Sequence, residues 1–145
     1  MASLEIQGFD ALEAALLRIS DVPWEIMEKS LNAMAAVSSD RIRATGESMG
    51  VRDPESKVHI LDKIKPAKAK KTDDGGVQQI TFSGSRTRNG VKTRNAEIAY
   101  VNEYGKRSQT ARPFILRAME GSADEISEAG EKIFGDWTEK EFVRD

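Results

Sequence analysis

Two stripes of residues at helical spacing, one toward each end of the chain, constrain the fold more than any other feature. Met27, Leu31, Met34, Ser38, Ile42, Thr45 and Met49 step by 4, 3, 4, 4, 3 and 4. Ile115, Met119, Ser122, Ile126, Ala129, Ile133 and Trp137 step by 4, 3, 4, 3, 4 and 4. Such spacing lines one side of an α-helix, so each stripe predicts a long helix with one buried face. The first helix should run to about Met49, with Asp21 as N-cap, Pro23 in the first turn and Gly50 just past the end. Ser38 and Thr45 make its lower half too polar for a coiled-coil seam, and its methionines read as core filler. Thr110 and Pro113 mark the start of the last helix, which Gly121 and Gly130 weaken by about 1 kcal/mol each relative to alanine. A shorter helix is predicted from Phe9, Leu12, Leu16 and Ile19.

The middle of the chain reads as strands and turns. Asp53-Pro54 is a turn signal. From Lys63 to Lys71 lysines alternate with Ile, Pro and Ala, a pattern suited to an edge strand guarded against pairing. Asp73-Asp74-Gly75-Gly76 is a turn, and residues 77–83 alternate as a strand. Residues 84–95 form either a hairpin tip around Asn89-Gly90 or a mobile loop, with Glu97 to Val101 as the returning strand. The charged tail, 139–145, should fray. The expected architecture is α+β in one domain, 1–145: a small antiparallel sheet of about three to four strands packed against two long helices and a short N-terminal helix.

Composition narrows function by exclusion. The 145 residues include no cysteine and one histidine, so thiolate chemistry, disulfides and zinc–thiolate sites are ruled out. His59 alone would have to serve any Ser-His-Asp arrangement, and no serine elbow lies near it. Paired carboxylates such as Glu125 with Glu128, or Glu139 with Glu141, lie on an acidic helix end and read as a solvated face. No phosphate-cradling glycine loop and no calcium-loop pattern occurs. The expectation is therefore a protein with no catalytic residues, no cofactor, no metal and no small-molecule substrate. No stretch approaches the roughly 20 apolar residues that cross a bilayer, and residues 1–5 lack a signal-like start, so no membrane partner is expected.

Charge is segregated along the chain. Residues 1–49 carry 4 Lys/Arg against 8 Asp/Glu, residues 50–112 carry 14 against 7, and residues 113–145 carry 4 against 9. A basic middle between acidic flanks suits neutralisation within or between subunits, or a strip facing nucleic acid. Arg86, Arg88, Lys92 and Arg94 could meet phosphates, but no aromatic residue lies among them to stack on bases.

The most individual stretch is Ile98-Ala99-Tyr100-Val101-Asn102-Glu103-Tyr104-Gly105, followed after a short gap by Ala111-Arg112-Pro113-Phe114-Ile115-Leu116-Arg117-Ala118. It resembles the tail-completion or neck (head–tail joining) proteins of long-tailed bacteriophages and prophages, whose signature pairs an aromatic-x-x-Glu-aromatic-Gly element with Ala-Arg-Pro-Phe. His59-Ile60-Leu61-Asp62-Lys63-Ile64 is similar to a further family element. The lysine-rich 63–71 and arginine-rich 84–95 depart from the pattern.

The resemblance implies a non-catalytic virion subunit, assembled in the bacterial host cytoplasm. It would form a ring with itself and meet connector and tail-tube or tail-terminator proteins, with non-specific proximity to DNA. Tyr100, Pro113 and Phe114 would define a strand-to-helix corner. Glu103, Tyr104, Gly105 and Arg112, with Arg86, Arg88, Lys92 and Arg94, would form the assembly interface; Glu103 and Arg112 would either shape the subunit's own corner or, as an exposed opposite pair, bridge subunits. The alternative is a small nucleic-acid-binding or regulatory protein using the basic region 63–94.

Overall fold

A computed structural model describes residues 22–51 and 59–142. The predicted helix over 9–19, Asp21, the Asp53-Pro54 turn and residues 143–145 lie outside the described residues.

Helix α1 spans Trp24–Ser48. Pro23 itself occupies the N-cap, in extended conformation, two residues after the predicted cap Asp21, and its carbonyl accepts from the Ile26 and Met27 N–H groups. At the other end Gly50 adopts φ 75°, its N–H reaching Glu47 O while that of Val51 reaches Gly46 O. These two bonds form a Schellman cap, in which glycine escapes the Cβ clash of the left-handed region.

Helix α3 spans Phe114–Phe142 and lies along α1. Ser30 meets Gly130 near one end, Arg41 meets Glu125, and Gly46 meets Phe114 at the other, so the two helices run antiparallel. Their seam matches the predicted stripe only in part, at Met34, Ser38 and Ile42. The buried residues of α1 are Ser30, Ala35, Ser38, Ser39, Ile42 and Gly46, mostly small side chains that let the backbones approach. A Cβ on Gly130 would lie 2.5 Å from Met34 Sδ and 3.0 Å from Ser30 Oγ. Gly130 therefore weakens the isolated helix but permits the tertiary contact, sealed by Ser30 Oγ–H donating to its carbonyl. The charged end, expected to fray, stays helical through Phe142.

Among the described residues the predicted single sheet resolves into three two-stranded antiparallel ladders. A 3-10 turn, Ile60–Lys63, leads into β1 (Ile64–Pro66), which pairs with β4 (Ile80–Phe82). Strand β2 (Lys70–Thr72) pairs with β3 (Gly75–Val77), and β5 (Ser85–Arg88) with β6 (Val91–Arg94). The strand predicted over 77–83 is thus split between two partners. Gln78 and Gln79 break it because both bond Ala67 from outside a ladder, through the Gln78 amide and the Gln79 carbonyl. The alternation of 63–71 survives in burial: Ile64 and Ala69 face inward, and Lys63, Lys65, Lys68, Lys70 and Lys71 are exposed. Of the two readings of 84–95, the hairpin holds; Asn89 at φ 52° and Gly90 at φ 78° make the type I′ turn that Asn-Gly favours.

The clearest correction concerns Glu97–Val101, predicted as a strand and found within helix α2 (Asn95–Tyr104). Buried Asn95, Ala99, Asn102 and Glu103 recur at helical rather than alternating spacing. The hairpin consequently closes on its own strands, Ser85 opposite Arg94. The fold is mixed α+β among the described residues. Its core gathers at the C-terminal end of α1 and the N-terminal end of α3, where Ile42, Val51, Ile60, Leu61, Ile64, Ala99, Phe114 and Ala118 are buried together.

Candidate functional site

The motif residues between Tyr100 and Phe114 form a helix-to-helix corner, not a strand-to-helix one. Helix α2 ends at Gly105, where φ is 77° and the N–H bonds Val101 O at 2.7 Å. A Cβ there would sit 2.9 Å from Ala111 N and 3.0 Å from Gln109 O, both backbone atoms. Glycine is required twice over, by torsion and by space. The Asn102 carbonyl then accepts the Arg112 N–H at 2.6 Å, folding the 105–112 loop back onto α2.

Glu103 is 8% exposed, and its two carboxylate oxygens accept from Ile115 N–H at 2.8 Å and Leu116 N–H at 3.0 Å. It is the N-terminal cap of α3, supplied from another helix, and takes the role predicted for Thr110. Arg112 points elsewhere: its Nη1 donates to Gly50 O at 2.7 Å, at the C-terminus of α1. Of the two expected roles, a bridge between subunits or a part in the subunit's own corner, these bonds give both side chains the second: each serves a helix end of its own subunit. The electrostatics are complementary, because an antiparallel pair presents the negative end of α1 beside the positive end of α3. A cation sits on the first and an anion on the second. Arg112→Ala is expected to lower stability by about 1 kcal/mol, read as a lower urea midpoint at unchanged slope.

Phe114, 0% exposed, follows Pro113 and meets Phe82 edge-to-face with centroids 6.0 Å apart. This agrees with its expected part in the corner. Tyr100 does not: on the outer face of α2 it is 63% exposed, and Tyr104, 70% exposed, lies against it with rings 4.7 Å apart. Leu116, 53% exposed, stands in the first turn of α3, tied by its N–H to the Glu103 beside Tyr104. The tyrosine spacing of four residues carried this signal; on a helix it stacks the rings on one face, whereas the strand reading hid it.

The basic hairpin lies across a cleft of about 790 Å³ from the corner, with Arg86, Arg88, Thr93, Lys106 and Arg112 among its walls. Its cations are largely engaged within the chain. Arg94 pairs with Glu97 at 3.1 Å, Arg86 and Arg88 also have interactions, and Lys92 is exposed. His59 lies at the cleft edge, its Nδ1 buried and unpartnered.

On the long helices Arg41 grips Glu125 through two hydrogen bonds, at 2.7 and 2.9 Å. The bond from Arg41 holds the Glu125 carboxyl below the ordinary carboxylate range. No group of three metal-ligating side chains occurs among the described residues, and no described helix is long and apolar enough to cross a membrane.

No protein-family model, curated protein or solved structure matches this chain.

Proposed function

We propose that the chain is a non-catalytic structural subunit of a phage or prophage head–tail junction, acting by assembly with itself and with connector or tail proteins. The observation that carries this reading is the use made of the motif residues. Glu103, Gly105, Arg112, Pro113 and Phe114 hold one corner and offer no paired acid and base, while Tyr100 and Tyr104 are left in contact with each other and open. Polar groups committed to helix ends suit a part that works by shape. The segregated charge suits copies meeting opposite faces of their neighbours.

Electron microscopy of particles assembled without the protein tests the role. Full heads beside loose tails support it; intact virions overturn it.

The second reading, nucleic-acid binding along 63–94, draws on the five exposed lysines between Lys63 and Lys71. It requires DNA affinity that falls steeply with salt. Against it stands the engagement of three of the four hairpin cations within the subunit.

A further inference from the structure

Among the described residues the outer face of α2 has no partner. Tyr100 and Tyr104 stand one turn apart with Leu116 near their C-terminal end, three large exposed side chains around one corner. Single exposed apolar residues are ordinary, but a cluster on adjoining elements marks a contact surface. Lys106 and Arg107 follow Tyr104 and Gly105 in the turn after α2, both exposed, and neither joins an ion pair among the described residues. The patch is aromatic and basic.

Helix α3 carries its complement. Glu120, Asp124, Glu128 and Glu131 step by 4, 4 and 3 along the exposed side, opposite Ile115 and Met119, which pack on the core, and half-buried Ile126. Like charges at this spacing repel one another within a lone subunit. Gly121 and Gly135 fall in the same sector, and a Cβ on either would meet nothing within 4 Å. The fold thus has no steric need for these two glycines, although each weakens the helix. Bare backbone at that face lets a flat ring lie close from outside.

We propose that the corner of one copy, through Tyr100, Tyr104, Lys106 and Arg107, docks on the acidic glycine-marked face of α3 in a second copy. The inference rests on the assembly reading above and names the surfaces it uses. Patch and complement occupy different places on each subunit, so the contact is head-to-tail and closes into a ring or extends as a filament. Oppositely charged faces also set the register of the approach. Single-stranded nucleic acid is the rival occupant, since tyrosines and cations together can stack bases. It would leave the unpaired acidic stripe and the two glycines without a role.

Sedimentation velocity of the full chain at low salt tests the contact. Lys106→Glu with Arg107→Glu is expected to weaken self-association about tenfold or more, as is Asp124→Lys with Glu128→Lys. Mixing the two variants should restore it, because each reversed surface then meets its match. Gly121→Leu should raise the thermal midpoint of the subunit yet weaken association, opposite movements that a purely structural glycine would not produce.

If both charge variants associate as the unaltered chain does, the surfaces are wrong while the assembly role stands. A chain that stays monomeric throughout the range also overturns the contact, and particle microscopy then decides the role separately. Single-stranded oligonucleotide binding that Tyr100→Ser and Tyr104→Ser abolish, with no self-association, overturns it in favour of nucleic acid.

Discussion

Phe114→Ala is expected to lower the free energy of unfolding by about 3–5 kcal/mol, the largest effect of any single truncation in this fold. Phe114 is fully buried at the meeting of four elements. Its ring packs on Phe82 of β4, lies 3.2 Å from the position a Cβ on Gly46 would take, and belongs to one cluster with Leu61 and Ala99. Leu61 already closes on the same point at Gly46, 2.6 Å from it, so the surroundings have little freedom to collapse into the space left. Urea titration followed by far-ultraviolet circular dichroism measures the loss. A change under 1 kcal/mol would mean that the corner is not the organising centre of the core.

Glu103→Ala is expected to be the next most damaging change, by about 2–3 kcal/mol, because two backbone N–H groups at the start of α3 lose a charged acceptor in a buried setting. Glu103→Gln should recover part of this loss: its amide oxygen still accepts from one N–H, and no negative charge remains to favour the positive helix end. The ordering Glu, Gln, Ala from most to least stable distinguishes capping from simple space-filling, for which glutamine would match glutamate. Equal stability of the glutamine variant and the native chain would remove the electrostatic part of this account.

The helices were legible in the sequence because their signal is redundant. Seven spaced positions, a flanking proline and a terminal glycine all pointed to α1, and it ends where Gly50 requires. What periodicity could not convey was which side of α1 faces α3. Ser30, Ser39 and Gly46 are too small to stand out as apolar, yet close approach is the reason they are buried.

The β region was legible only locally. The Asn89-Gly90 turn and the inward Ile64 were readable, since both follow from near-neighbour rules. That Gln78 and Gln79 divide one apparent strand between two ladders depends on a bond to Ala67, which spacing does not encode. Residues 97–101 were misread because Ile-Ala-Tyr-Val is a short run rich in strand-favouring types; its helical burial shows only when Asn95, Asn102 and Glu103 are counted with it. The error carried over to the site. Once α2 is a helix, Glu103 turns inward, Tyr100 turns outward, and Glu103 and Arg112 cap helix ends of their own subunit.

Both tryptophans sit away from this corner. Trp24 opens α1, and Trp137 lies seven residues beyond Gly130, so the antiparallel register brings both indoles, half-buried, to the remote end of the helix pair. Indole emission will therefore follow local opening of that end, whereas the slowest amide hydrogen exchange will be found around Leu61 and Ala118. The two probes watch opposite ends of one molecule, and a gap between their transitions would measure how loosely the far end is held when the pinned end is still intact.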